Sequence, residues 1–163
     1  MSAASQGLIL IVDDNPVQSR LYGDVLKAEG FSVIAMPNAK EAEQFLLANM
    51  PSVILLDIMM PDVDGIEACQ RFRKQIGERA PILFLTASDT VDILLSAFKA
   101  GGDDFVVKTS GLQKLVERVK YWRNPASRGD TPVRRQAKIT QIEKRLGSQP
   151  DVIKPVPNKS SPL

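Results

Sequence analysis

Residues 53–65 read VILLDIMMPDVDG. Four apolar residues, Val53 to Leu56, deliver a single carboxylate at Asp57, and two more, Asp62 and Asp64, follow in the next turn. A short apolar run without polar alternation suits a strand covered on both faces, as in a parallel sheet sandwiched by helices. Runs of the same kind recur at LILIV (8–12), ILFL (82–85) and FVV (105–107), with a weaker one at SVIAM (32–36).

Segments of helical period separate these runs. After DDNP, Asn15 can cap a helix and Pro16 fits its first position, with Val17, Leu21 and Val25 repeating at i, i+4 and i+8 before Gly30. The segment 38–49 places Ala42, Phe45, Leu46 and Asn49 on one stripe. The segment 65–76 aligns Ile66, Cys69, Phe72 and Ile76, so Cys69 reads as a small core hydrophobe. A fourth helix, about 90–100, closes at Gly101 and Gly102. In a fifth, Ser110 and Gln113 form a capping-box pattern, and Leu112, Leu115, Val116, Val119 and Trp122 make the apolar face. Strand and helix alternate five times, and right-handed crossovers then predict an α/β fold, a three-layer doubly wound (βα)5 parallel sheet.

Composition narrows the chemistry. The chain has 163 residues, 44% of them apolar and 25% charged, enough for one soluble domain and a surplus. It contains no histidine, which excludes histidine bases, histidine metal ligands and a phosphohistidine carried by this chain. Its one cysteine cannot form an internal disulfide and fits a reducing compartment, so the cytoplasm is expected. The apolar run at 8–12 is too short for a signal core or a membrane span, and no GxxxxGK[ST] phosphate loop is present.

After Trp122 aromatic residues cease and six of the eleven prolines appear. Residues 125–163 hold eight basic and three acidic side chains, against thirteen and sixteen in 1–124. The expected organisation is an N-terminal extension at 1–7, a folded domain at 8–124, and a basic, Pro-rich tail or linker at 125–163. Such a tail should be largely disordered, with one short helix near 134–147 marked by Ile139, Ile142 and Leu146. It is too small for a DNA-binding module with its own core, so direct sequence-specific DNA binding is not expected.

The polar residues that interrupt the apolar runs share one location, the carboxyl end of a strand: Asp13 and Asp14, then Asp57, Thr86 and Lys108. Ligands bind in that crevice of open α/β sheets. Crowded carboxylates resist ionisation unless a cation compensates them, and an oxygen-rich, histidine-free site suits Mg²⁺. Asp57 is then an ionised nucleophile, with the Lys108 charge and the Thr86 hydroxyl matched to phosphoryl oxygens. Asp62 and Asp64 read as turn and helix-start residues.

The segments LIVDDNP, ILLDIMMPDVDG, ILFLTAS and AGGDDFVVK, in that order, resemble the receiver domain of bacterial two-component response regulators over residues 8–124. That resemblance implies a flavodoxin-like strand order 2-1-3-4-5 and a phosphorelay role. Asp57 would be the phospho-acceptor, and Asp13, Asp14, Asp57 and the main-chain carbonyl of Met59 the Mg²⁺ site. Thr86 and Phe105 would be the switch pair and Lys108 the phosphate-contacting lysine. The implied donor is a sensor histidine kinase or a histidine phosphotransfer protein. The implied output is a protein target that reads the fourth helix, fifth strand and fifth helix, and a homodimer is a further expected association. Expected chemistry is confined to self-phosphorylation and slow loss of the acyl phosphate, without enzymatic turnover.

One position departs from the family pattern: Thr109 stands where a proline, commonly after a cis bond, usually follows the lysine. Either the bond is trans here or tertiary contacts hold it cis. Two other readings stand beside the first. A phosphorylation-independent docking domain would keep the fold without the chemistry, and an Asp-nucleophile phosphohydrolase would want a second acid at position 59, which is methionine.

Overall fold

The computed structural model describes residues 4–147. Residues 1–3 of the expected extension and 148–163 of the expected tail lie outside the described residues. Five strands, β1 (Leu8–Val12), β2 (Ser32–Met36), β3 (Val53–Asp57), β4 (Ile82–Thr86) and β5 (Asp104–Val107), alternate with α1 (Pro16–Ala28), α2 (Ala39–Leu46), α3 (Gly65–Ile76), α4 (Val91–Ala100) and α5 (Leu112–Arg123). All pairings are parallel and the order is β2-β1-β3-β4-β5, the doubly wound arrangement the sequence predicts.

The pleat sorts strand residues between two cores, because successive side chains point to opposite faces. Leu10, Val12, Ile54, Leu56, Ile82 and Phe84 meet α2, α3 and α4 through residues such as Ala42, Leu46, Phe72 and Ala97. Ile9, Ile11, Val53, Leu55, Leu83 and Leu85 meet α1 and α5 through Tyr22, Leu26, Val116, Val119 and Trp122. β2 is an edge strand with mostly exposed side chains, which is why its apolar run is the weakest. Cys69 is fully buried, its thiol is pushed up to about 12 chiefly by burial, and it donates to the Ala100 carbonyl at 3.5 Å. It packs as a core residue, as expected.

Helix α1 corrects one reading. Asn15 does cap it, accepting from the Val17 and Gln18 amides, and Pro16 is its first residue. The buried side, however, is Ser19, Tyr22, Gly23 and Leu26, while Val17 is 75% exposed and Leu21 48%. The helix carries apolar side chains on two sides. The side that packs bears Tyr22 and Leu26, with Gly23 facing Val33 of β2. Helix α2 ends at Leu46, short of the expected 49, and the exposed Asn49 donates its side-chain amide to the Phe45 carbonyl at 3.1 Å. The capping box of α5 does not form. Lys108–Ser110 make a 3₁₀ turn, the Ser110 hydroxyl donates to Val107 O at 2.6 Å, and Gly111, at φ +93°, precedes the helix.

The largest difference from the sequence reading lies after Trp122. Residues 125–147 form α6 (Pro125–Arg128) and α7 (Thr131–Gly147), and α7 lies against α4. The helix starts before residue 134, and of Ile139, Ile142 and Leu146 only Ile139 is buried. Charged side chains anchor it to the domain. Arg135 grips Glu78 through two nitrogens at 3.0 and 2.8 Å and reaches Asp103 at 2.8 Å. Asp103 also accepts from Arg73 at 2.7 Å and from the Ile82 amide at 2.9 Å. Next to it Asp104 accepts from the Trp122 indole at 2.8 Å and from Arg118 at 3.2 Å. Apolar periodicity does not register such contacts, so a segment poor in apolar residues reads as unpartnered.

Two outcomes follow from this packing. Leu26→Ala should cost about 2–5 kcal/mol in equilibrium urea denaturation, while Val17→Ser stays within about 0.5 kcal/mol, because only Leu26 leaves a cavity. The Arg135 hydrogen bond, ahead of other causes, lowers the pKa of Glu78 below its ordinary 4.5. A depressed carboxylate pKa stabilises the fold above the unfolded value and ceases to do so as pH falls through the folded one. Acidification below pH 4.5 should therefore weaken α7 docking, and Glu78→Gln should flatten that part of the thermal-stability profile.

Candidate functional site

Parallel strands end at the same edge of the sheet, so the residues at the carboxyl ends of β1, β3, β4 and β5 converge. Asp13 follows β1, with its amide donating to the Met36 carbonyl at 3.1 Å. It is 2% exposed, and its Oδ1 accepts from the Asn15 amide at 2.9 Å. Its Oδ2 is buried without a hydrogen-bond partner. Asp14 is exposed, and Asp57 ends β3 at 3% exposure. Carboxylate oxygens of Asp13, Asp14 and Asp57 all lie within 4.8 Å of one another.

Two features hold Asp57 in place. Its Oδ1 accepts from the Met59 amide at 3.2 Å, folding the loop back on the strand end. The start of α3 then passes against the Asp57 backbone, and a Cβ at Gly65 would stand 2.2 Å from the Asp57 carbonyl oxygen, so no other residue fits without moving that loop. The Gly65 amide donates to the Ile58 carbonyl at 2.8 Å. Asp62 takes the left-handed turn position at φ +66°, and Asp64 caps α3 by accepting from the Glu67 amide at 2.8 Å. Both are turn and helix-start residues, as the sequence suggested.

Lys108 answers the carboxylates from the end of β5. Its ammonium is 3.2 Å from Asp57 Oδ1 and 3.9 Å from Asp13 Oδ2, and it donates to Gln18 Oε1 at 2.7 Å. No cis peptide bond occurs among the described residues, so the bond into Thr109 is trans. Gln18 was not singled out from the sequence. A lone glutamine one turn into a helix carries no signal until its neighbour across 90 residues is known.

One cation does not balance three carboxylates. Burial, more than any other cause, pushes the Asp13 carboxyl up to about 6, and the neighbouring Asp57 charge adds to the rise while the Asn15 amide and Lys108 oppose it. A divalent ion would remove that penalty. The donors present are all oxygen, one of them the unpartnered Asp13 Oδ2, and with no histidine or thiolate nearby they fit a hard cation rather than zinc or copper. The Met59 amide points to Asp57 and its side chain is 74% exposed.

The remaining predicted residues lie beside this cluster. Thr86 ends β4, is 3% exposed, and is turned into its own loop: its hydroxyl donates to the Ser88 carbonyl at 2.6 Å and accepts from the Ser88 amide at 3.1 Å. Phe105 pairs in register with Phe84 on the neighbouring strand and meets Phe98 of α4 edge-on, centroids 6.4 Å apart. Among the described residues, no helix is long and apolar enough to cross a membrane.

Comparison with known proteins agrees with this geometry. Residues 9–120 match the family described as response regulator receiver domain. The chain is 35% identical over 112 residues to the response regulator MprA of Mycolicibacterium vanbaalenii, covering 69% of this chain and 48% of that protein. It is 37% identical over 113 residues to the DNA-binding response regulator MtrA of Mycolicibacterium smegmatis, covering 69% and 48% respectively. The chain thus spans about half the length of the curated relatives it matches. Among solved structures it superposes with a two-component response regulator of the LuxR family from Aurantimonas sp. at a TM-score of 0.71 and 29% identity, covering 87% of this chain and 99% of that one. Sheet order, clustered carboxylates and sequence match lead to one assignment: this chain belongs to the response regulator receiver domain family of two-component signalling.

Proposed function

We infer that Asp57 is the phosphoryl acceptor of this receiver and that Asp13, Asp14, Asp57 and the main-chain carbonyl of Met59 hold Mg²⁺. The observation that carries the reading is the placement of the buried Asp57 carboxylate within reach of both the acidic pair and the Lys108 ammonium. Bound there, Mg²⁺ would supply positive charge that screens the carboxylates from one another and from the oxygens of a phosphoryl group.

The Asp57 carboxylate attacks the phosphorus of a phosphohistidine on a sensor kinase or phosphotransfer protein. The new O–P bond forms as the P–N bond breaks, and the electron pair stays with the departing imidazole. Lys108 already stands 3.2 Å from an Asp57 oxygen and needs only a short move to meet the phosphoryl oxygens. Thr86 then exchanges its bond to the Ser88 carbonyl for one to the new dianion. That inward turn vacates space for Phe105, and the surface of α4, β5 and α5 changes for a downstream protein target. The group transferred is a single phosphoryl per chain, with slow hydrolysis in place of turnover, in the cytoplasm.

A phosphorylation-independent docking domain is the second reading, motivated by Thr109. The Lys108 ammonium, held at the site without a proline after it, favours the acceptor reading. Incubation with acetyl phosphate and Mg²⁺ should add the mass of one phosphoryl group to the intact chain, and Asp57→Asn should abolish the gain. An unlabelled wild-type chain would establish the docking reading instead. Lys108→Met should slow labelling by ~100-fold, the scale of losing one charged stabiliser of a transition state, with the stoichiometry at completion unchanged.

A further inference from the structure

The side of α4 nearest β5 and α5 is covered by the chain's own α7. Arg135 donates through Nε to the Gly102 carbonyl at 3.1 Å, besides its bonds to Glu78 and Asp103. One helical turn on, the Lys138 ammonium donates to the Asp103 carbonyl at 3.2 Å and sits 5.1 Å from the Phe98 ring centre and 5.9 Å from that of Trp122. Ile139 is buried beside it, and Glu143 pairs with Lys99 of α4 at 3.0 Å.

The receiving surface therefore offers two carboxylates, two main-chain carbonyls and two aromatic faces. All of these recognise cations, at positions three residues apart on one helix face with an apolar residue next to the second. That is the chemistry of a basic amphipathic helix. Phe98 is shared between this surface and the switch, since one neighbour is the Lys138 ammonium and another is the edge-on ring of Phe105. A reorientation of Phe105 would remove the ring that packs edge-on against Phe98, the same ring that Lys138 meets.

We propose that the face formed by the end of α4, the start of β5 and the end of α5 is a docking site for a basic amphipathic helix, that α7 is its resident occupant, and that phosphorylation of Asp57 loosens α7 so that a target helix of the same chemistry takes its place. The release step rests on Asp57 being the phosphoryl acceptor and Phe105 the switch residue. The docking site itself does not.

Hydrogen exchange on the full chain, with and without Mg²⁺ and beryllofluoride as the phosphoryl mimic, tests both parts. Protection of amides in 131–147 should fall about tenfold with the mimic. In Arg135→Glu/Lys138→Glu, where carboxylates would face Asp103 and Glu78, the same amides should exchange fast in both conditions while β1 and β3 stay protected. If β1 and β3 also lose protection, Lys138→Met, which keeps the apolar stem, replaces the double variant with the same expected direction. A labelled peptide of residues 130–147 should bind the undocked variant about tenfold more tightly than the wild type, whose site is filled. Unchanged α7 protection alongside a response at residues 86–90 overturns release but leaves phosphorylation standing. No response at either place removes the phosphoryl reading and release together. Equal or absent peptide binding to the two chains overturns the docking site.

Discussion

Like charge crowded at one edge of a parallel sheet is the constraint on which the site depends. Parallel strands all end on the same side, so polar groups at their ends converge, and four of the five ends here carry one. Three carboxylates within 4.8 Å of one another oppose folding unless positive charge meets them. Lys108 supplies part of that charge, and the balance it leaves at the site is negative. The Gly65 contact also bears on the site. It brings the start of α3 so close to the Asp57 backbone that a side chain at position 65 would displace the strand end carrying the carboxylate.

The opposite edge of the sheet shows what complete pairing looks like. Asp103 and Asp104, at the start of β5, are as buried as Asp13 and Asp57. Yet Asp103 meets two guanidinium groups and a backbone amide, and Asp104 meets an indole, a guanidinium and an amide. Buried charge whose hydrogen bonds are all made holds elements together, and here it ties α3, α5 and α7 to the sheet. Buried charge with an acceptor left over, as at Asp13 Oδ2, remains available for a ligand. One fold thus has a fully paired charge centre at one end of its strands and an incompletely balanced one at the other.

The sheet was legible because its inner strands are buried on both faces, and continuous apolar runs mark the strands to within about a residue. Asp13, Asp14, Asp57, Thr86 and Lys108 were legible because each interrupts or ends such a run, so that strand reading and site reading were one act. What escaped depends on contacts between distant surface residues. The inward side of α1 could not be chosen from spacing alone, since Val17 and Leu21 repeat as well as Tyr22 and Leu26 do. Gln18 and Arg135 act through partners 90 and 32 residues away, and polar side chains leave no periodic trace of such pairs. A helix near 134–147 was expected, but its start at Thr131 and its packing against α4 were not, for that reason.

Thr109 shows how a departure from the family pattern can be absorbed. A proline after the lysine would constrain the backbone leaving β5. Here that backbone is shaped instead by the 3₁₀ turn, by the Ser110 hydroxyl closing onto Val107 and by the positive φ of Gly111. The ammonium is placed by groups from three other elements: it donates to Gln18 on α1 and lies within ion-pair distance of Asp57 at the end of β3 and of Asp13 after β1. A long, flexible side chain converges on the strongest negative potential within its reach, so its head can be fixed even where its stem is set differently. Position at this site is governed by where the carboxylates gather, and the turn after β5 has only to keep Lys108 within range of them.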